Sequence, residues 1–331
     1  LGENPSLDYK ISFDLTSGDD PIHFAPVSFG NVSYVVSGYY LIAIDSFGEE
    51  LMRYASGELY GSSTGALGIF YQPIVEDGNL YVGTSSGRVF SFNLGESLDS
   101  FNLNWVSEKV GGSRPITLSI GGNNLVYGDS FGDIVILNKL NGELKNSYNL
   151  VGKYSNPVVY GSVIFLSGQS GTSKGTGVVA LNMNTGEKIW ETFFGGSRIS
   201  PVFIEENVLY VGAAGGVHAL RIIDGSLIWQ KAGMHTSASD KSLEKYFGTV
   251  GSAPAVDEDN VYFTGSSGGI FALNKEDGSP LWYYLIEDIK RSISGDGDYL
   301  YLSSPAVSEN HVSFFGGKSR ENSTFYVFDK N

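Results

Sequence analysis

A proline followed by a short apolar run recurs along the whole chain, and this repeat constrains the fold more than any other feature. The prolines of the repeat are 42 to 53 residues apart: Pro26, Pro73, Pro115, Pro157, Pro201, Pro254 and Pro305. They are seven of only ten prolines in 331 residues, so chance does not account for the register. Repeats of this length are typical of solenoids and propellers, in which each repeat is one supersecondary unit.

Each repeat contains the same series of short β-rich runs. A run ending in glycine comes early, as in L-Y-V-G at 80–83, and an apolar run follows, as in I-F-A-L-N at 270–274. A turn ending in glycine then leads to a last run, as in D-G-S-L-I-W at 224–229. Such runs, bounded by Gly, Asn and Asp, are typical of strands joined by turns. Four strands per repeat and seven repeats predict an all-β, seven-bladed β-propeller of four-stranded antiparallel blades.

The two ends of the chain predict how the ring closes. The last repeat ends with its third run, T-F-Y-V-F-D at 324–329, while L-D-Y-K-I-S-F-D at 7–14 precedes the first proline. We expect the amino-terminal strand to complete the last blade, which would leave no open edge in the ring. Residues 1–331 are therefore predicted to form one propeller domain, with blades that start near the seven prolines.

Composition excludes several classes of partner and site. The chain has 21 Lys and Arg against 36 Asp and Glu, a formal charge of −15, which disfavours nucleic acid and anionic lipid as partners. It has no cysteine, which excludes disulfides and thiolate sites. No apolar stretch is long enough to span a membrane. The sequence begins at Leu1 rather than methionine, and we expect an exported protein, periplasmic, cell-surface or secreted, whose leader or anchor is absent here. The sequons at Asn31 and Asn322 favour export slightly.

The end of each repeat resembles the repeat of the PQQ-like propeller family, which includes quinoprotein alcohol dehydrogenases and the BamB-like assembly lipoproteins. The shared pattern is an alanine, a glycine six residues later and a tryptophan after four more. Three copies fit it: Ala180, Gly186 and Trp190; Ala219, Gly225 and Trp229; Ala272, Gly278 and Trp282. Three copies are degraded: Gly48 leads to Met52 with one residue lost, Gly142 leads to Asn146, and Ser91 reaches Trp105 only after an insertion.

In that family the tryptophan docks between neighbouring blades, with its ring against the alanine and glycine positions. Glycine lets a flat ring approach the backbone, and a buried indole contributes a large apolar area. The resemblance therefore predicts that Trp105, Trp190, Trp229 and Trp282 are structural. A ligand platform is the alternative.

Catalytic, cofactor and metal sites are not predicted. The quinoprotein resemblance implies PQQ above a tryptophan, usually beneath a vicinal disulfide, with calcium in an eight-bladed ring. Seven repeats, no cysteine and four tryptophans in the docking register argue against PQQ here. The histidines (His23, His218, His235 and His311) lack metal-ligand spacing. The acidic run 257–259 is predicted to be a solvated turn, with calcium as the weaker alternative.

The long segments of the repeat mostly belong to one face of the predicted propeller. They are Gly168–Gly177, Gly316–Thr324, 54–72, 230–253 and 284–304. Insertions confined to one face of a repeat scaffold usually mark the binding face. The candidate partner-binding residues in these segments are Met234, His235, Leu243, Tyr246, Phe247, Lys290, Arg291, Lys318 and Arg320. The alternatives are that the apolar residues pin the 230–253 loop to the ring and that the cations only solubilise the surface.

These observations favour a non-catalytic, BamB-like protein-interaction scaffold in cell-envelope or extracellular assembly. We expect a monomeric propeller that binds protein partners on its long-loop face and does not itself span a membrane. Two alternatives stay open. One is an extracellular sensor or ligand-binding propeller of a larger receptor, and the other is a degenerate quinoprotein or carbohydrate-active enzyme that uses the central channel.

Overall fold

The computed structural model describes most of the chain, and all of its regular elements there are β-strands. The described ranges are 7–12, 26–57, 68–95, 101–110, 117–128, 132–213, 216–232, 250, 252–265, 269–285, 300–308, 310–318 and 324–330. Among these residues no helix is long and apolar enough to cross a membrane. The chain divides into two compact units, one made of Leu15–Leu166 with Asn182–Gly186 and the other of Leu1–Asp14, Ser167–Leu181 and Glu187–Asn331.

The first unit contains three complete four-stranded meanders, in which consecutive strands pair antiparallel. Sheet 1 comprises β2 (Val27–Phe29), β3 (Val32–Ser37), β4 (Tyr40–Ile44) and β5 (Glu50–Ala55). Sheet 2 comprises β6 (Ile74–Glu76), β7 (Asn79–Gly83), β8 (Val89–Asn93) and β9 (Asn102–Val106). Sheet 3 comprises β10 (Thr117–Gly121), β11 (Asn124–Gly128), β12 (Asp133–Asn138) and β13 (Leu144–Asn149). The strands of sheet 4 are β14 (Gly152–Tyr160), β15 (Val163–Ser170), β16 (Thr176–Asn182) and β17 (Lys188–Gly195).

The second unit contains two further meanders and the last sheet. Sheet 5 comprises β18 (Phe203–Glu205), β19 (Val208–Ala213), β20 (Gly216–Arg221) and β21 (Leu227–Ala232). Sheet 6 comprises β22 (Ala255–Val256), β23 (Asn260–Gly265), β24 (Gly269–Asn274) and β25 (Pro280–Leu285). Sheet 7 comprises β26 (Leu300–Leu302), β27 (Ala306–Val307), β28 (His311–Lys318), β29 (Thr324–Asp329) and β1 (Leu7–Ser12).

Sheet 7 is completed by the amino terminus, as the sequence predicts. The first strand β1 pairs antiparallel with β29, with Lys10 opposite Tyr326. The sheet differs from the prediction in having five strands, because β26 and β27 both pair with the long strand β28. Leu302 lies opposite Gly316, while Ala306 lies opposite Ser313.

The core lies between successive sheets, where both faces of the middle strands are buried. Tyr34 and Tyr54 of sheet 1, for example, pack with Phe92 of sheet 2 in one buried cluster. Similar clusters join sheets 2 and 3, sheets 5 and 6, and sheets 6 and 7. By contrast, β13 is an outer strand and most of its residues are exposed. Burial on both faces explains why the middle strands are almost continuously apolar rather than alternating.

Candidate functional site: sheet seams and connection ends

Each sheet has two opposite ends, which differ in the connections that they carry. The turn end carries the turns between first and second strands and between third and fourth strands. The connection end carries the turns between second and third strands, together with the segments that lead from one sheet to the next. Both ends follow from the antiparallel order of the strands.

At the turn end, four sheets use the same five-residue turn between their third and fourth strands. The glycine N–H donates to the carbonyl four residues earlier at 2.8 to 2.9 Å in each turn: Gly142 to Asn138, Gly186 to Asn182, Gly225 to Arg221 and Gly278 to Asn274. All four glycines have φ between 68° and 73°, the left-handed region that favours glycine. At three of the turns the starting asparagine accepts a backbone N–H through its side chain, which fixes the turn further.

The same glycines face an aromatic ring of the preceding sheet. A Cβ atom at Gly225 would lie 2.5 Å from Cε3 of Trp190, and one at Gly278 would lie 2.6 Å from Cε3 of Trp229. Gly142 meets Trp105 in the same way, at 2.4 Å. These distances are too short for any side chain, so the ring contact requires glycine at this position.

The indole N–H groups bind the same turn. Trp190 donates to the carbonyl oxygen of Ile222 at 3.0 Å, and Trp229 donates to that of Lys275 at 2.9 Å. Both acceptors lie three residues before the turn glycine. The ring therefore contacts the glycine while its one polar atom is satisfied by a neighbouring carbonyl.

The cross-strand register places a small residue beside each tryptophan. Ala180 lies opposite Trp190, Ala219 opposite Trp229, Ala272 opposite Trp282 and Ser91 opposite Trp105. Trp282 has no turn glycine to face because the fourth strand of sheet 7 is β1; its ring lies 5.8 Å from that of Tyr262. The structural role assigned to these tryptophans stays a prediction.

In two degraded copies of the motif, other residues take the place of the tryptophan. In sheet 1 the shortened turn closes by a bond from Gly48 N to Asp45 O at 3.1 Å, and Met52 takes the place opposite Ala43. In sheet 3, Asn146 lies opposite Ile136, whose side chain is larger than alanine. There the ring over the next turn glycine, Gly186, belongs to Tyr148, two residues beyond the expected position.

Ion pairs join neighbouring sheets at equivalent positions of the turn end. An acidic residue just after the first strand, or at its end, pairs with the lysine that follows the third strand of the next sheet. Lys139 contacts Glu76, Lys275 lies 2.5 Å from Glu205 and Lys330 lies 2.7 Å from Asp257. The corresponding residues of sheets 1 and 2, Phe29 and Leu94, share an apolar cluster instead. No sequence spacing predicts these pairs, because their partners are more than 60 residues apart and belong to different repeats.

The acidic run 257–259 lies partly in the contact between sheets 6 and 7 and partly in solvent. The Asp257 carboxylate accepts hydrogen bonds from Lys330 Nζ, the Tyr262 hydroxyl and two backbone N–H groups. Burial alone would raise its pKa, but these donors outweigh burial and lower it. Glu258 and Asp259 are exposed. In the ranges described, no three His, Asp or Glu residues lie together as a metal site would need.

At the connection end, hydrogen bonds hold the stems of the long segments. Phe70 N donates to Gly38 O at 2.9 Å, and the Ser56 hydroxyl donates to Gly68 O at 2.8 Å, so the stem of the segment 57–67 is closed. In the other unit, Val250 bridges Gly265 after the segment 233–249, and the Thr264 hydroxyl lies 2.6 Å from that of Ser252. Both long segments therefore leave the sheets at their connection ends.

Most of the predicted partner-binding residues lie outside the described residues. These are Met234, His235, Leu243, Tyr246, Phe247, Lys290, Arg291 and Arg320. Lys318 is described in its backbone, as the last residue of β28, opposite Leu300. Their role as a binding surface therefore stays a prediction.

The fold defined by these sheets is a seven-bladed β-propeller with four-stranded antiparallel blades, and solved structures share it. BamB from Moraxella catarrhalis matches with a TM-score of 0.63 at 13% identity, covering 98% of this chain and 99% of that chain. The computationally designed Ika8 protein matches with a TM-score of 0.62 at 13% identity, covering 94% and 98%. A comparison with curated proteins finds no match.

The family follows from the sequence itself. The profile of the family described as outer membrane protein assembly factor BamB matches residues 12–231 and, in an overlapping match, residues 154–315. The chain belongs to this family, as the resemblance of its repeats predicts.

Proposed function

We propose that this protein is a non-catalytic, BamB-like interaction scaffold that binds a protein partner at the connection ends of its sheets. The observation that carries the proposal is the contrast between the two ends. Five-residue turns recur at the turn end, whereas the longest segments leave from hydrogen-bonded stems at the connection end. Variable segments on a rigid scaffold are where binding residues concentrate.

The family match supports assembly as the setting of this scaffold. The family description names an outer membrane protein assembly factor, BamB, and the Moraxella structure is that of a BamB. We therefore propose an exported protein that acts in cell-envelope or extracellular assembly. Because fold alone does not determine function, the proposal depends on the surface that a partner contacts.

Site-specific photo-crosslinking tests which end the partner contacts. Tyr39 lies at the connection end of sheet 1 and Tyr160 at the turn end of sheet 4, and their exposed fractions are similar, 43% and 47%. A photoreactive phenylalanine at each position, introduced into the protein in its native cells, gives a matched pair. We expect protein adducts from position 39 and not from position 160; adducts only from position 160 would contradict the proposal.

A second variant addresses the longest segment. We expect a chain shortened within 234–249, with the buried Val250 kept, to lose the partner that crosslinks at position 39, while its unfolding midpoint stays close to that of the intact chain. Recovery of the same partner in the same yield would show that this segment is not the binding element.

A further inference from the structure

A cleft of about 440 Å³ opens at the turn end between sheets 5 and 6. The buried side chains of Tyr210 and Trp229 and the half-buried side chain of Val208 line it. Ile228 stands at its edge with 43% of its surface exposed, although it is a large aliphatic residue. The cleft therefore offers apolar surface to a side chain that enters it, with a further apolar contact beside it.

Three carboxylates stand around this apolar surface: Glu258, Asp259 and Glu276, all of them exposed. Their backbone is held in place. Glu276 N donates to Asn274 Oδ1 at 2.8 Å, Asp259 N donates to Asp257 Oδ1 at 3.1 Å, and Lys275 Nζ donates to Glu258 O at 3.2 Å. The negative groups are thus presented from fixed turns, which lowers the entropy lost when a ligand binds.

The charge of these carboxylates is not neutralised by the cleft itself. Among the described lining residues Lys275 is the sole cation, and its ammonium already contacts Glu205 and the carbonyl oxygens of Asp257 and Glu258. Burial, and to a smaller extent the carboxylates Glu205 and Glu206, raises the pKa of Tyr210 to about 12, so this phenol stays neutral beside the cleft.

We propose that this cleft binds a lysine or arginine side chain from an extended segment of a partner protein. The methylene stem of such a side chain covers apolar surface while its charged end reaches carboxylates, which fits the lining and the rim together. An aliphatic residue beside the cation would pack on Ile228. This site goes beyond the scaffold function proposed above, because it lies at the turn end rather than the connection end.

Short peptides test the proposal directly. The probe is an acetylated and amidated Gly-Leu-Arg-Leu-Gly peptide, with glutamine in place of arginine as the control peptide, measured by titration calorimetry on the full chain. We expect saturable binding with one peptide per chain for the arginine peptide only. The variant Glu258→Gln, Asp259→Asn, Glu276→Gln should weaken that binding at least about tenfold.

A matched variant controls for net charge. Glu49→Gln, Glu143→Gln, Glu187→Gln removes the same charge from exposed turns of other sheets, and should change the dissociation constant by less than about twofold. Equal weakening in both triple variants would overturn the proposal, because it would show attraction to overall charge. So would equal binding of the glutamine peptide, or no saturable binding of the arginine peptide at about 1 mM. None of these results depends on which residue crosslinks at the connection end.

Discussion

The Tyr148 hydroxyl donates a hydrogen bond to the carbonyl oxygen of Met183 at 3.1 Å, while the Tyr148 ring lies over Gly186. Met183 stands three residues before that glycine, the position whose carbonyl accepts the indole N–H of Trp190 or Trp229 in the following sheets. A phenol from one position therefore makes the same pair of contacts as an indole from another. The same contacts therefore recur between neighbouring sheets, although a different type of residue makes them.

Removal of the Tyr148 hydroxyl and of its ring should have separable effects. We expect Tyr148→Phe to lower the free energy of unfolding by about 1 kcal/mol, because the Met183 carbonyl loses its donor. Tyr148→Ala should lower it by about 2 kcal/mol or more, since the ring contact is lost too. Urea unfolding measures both. Tyr160, which is 47% exposed, supplies the control, and equal effects of Tyr160→Ala and Tyr148→Ala would contradict the assignment.

The sequence predicts which ring contacts the turn glycine of the next sheet where the repeat is intact, but not where the repeat is degraded. Gly186 and Trp190 mark a turn and a ring by type and spacing alone. Asn146 occupies the expected ring position in sheet 3 but lies opposite Ile136, and no spacing rule points to Tyr148 instead. Ile136 in place of alanine is the signal that the ring comes from another position, because a large residue leaves no room for an indole beside it.

The charged contacts and the binding surface were harder to predict for a different reason. Lys275 and Glu205 become neighbours only when two sheets pack, and their spacing of 70 residues is not a periodicity of either sheet. The segments between sheets carry no repeat at all. Strand order fixes the end from which they leave, whereas their contacts depend on side chains that the repeat does not specify.

The contact between turn glycine and indole predicts a difference between two alanine substitutions. Gly278 and Gly122 both have positive φ, 71° and 58°, but a Cβ at Gly278 meets Trp229 whereas one at Gly122 meets nothing within 4 Å. We expect Gly122→Ala to destabilise the protein by about 1 kcal/mol, from backbone strain alone. Gly278→Ala should destabilise it by at least about 1 kcal/mol more. Combining Gly278→Ala with Trp229→Ala should bring the cost of the alanine close to that at Gly122; an unchanged cost would show that the indole is not the cause.

The pair of Lys330 and Asp257 predicts a pH-dependent effect on stability. Both side chains are 15% exposed, so Lys330→Met leaves a partly buried carboxylate without its cation, which should cost about 2 kcal/mol near pH 7. Since the pKa of Asp257 is lowered in the fold, its contribution is present above the unfolded value of about 3.9 and is lost as the pH falls through the folded value. The difference between wild type and variant should therefore shrink below about pH 4. Lys188→Met is the control, because Lys188 is 54% exposed and its pair with Glu191 should contribute less than about 1 kcal/mol.

The burial of His218 predicts a second and smaller loss of folding stability in acid. The side chain is buried, and its Nε2 lies 3.0 Å from Ala213 O. Its Nδ1 has no hydrogen-bond partner in the described structure. Its neighbours Val211, Gln230 and Phe194 carry no charge. Burial lowers the pKa of His218, and the bond to Ala213 only partly opposes this shift. As the pH falls below about 6.5, the unfolded chain binds a proton that the folded chain does not, so stability decreases.

The substitution His218→Gln removes this titration while its amide can still donate to Ala213 O. Between about pH 7.5 and pH 5, we expect the variant to lose less unfolding free energy than wild type, by at most about 1.4 kcal/mol per pH unit. Urea unfolding at several pH values measures both curves. Above about pH 7.5 the two curves should run parallel, since His218 is neutral in both states there. Parallel curves across the whole range would mean that His218 accepts its proton as readily in the fold as in the unfolded chain.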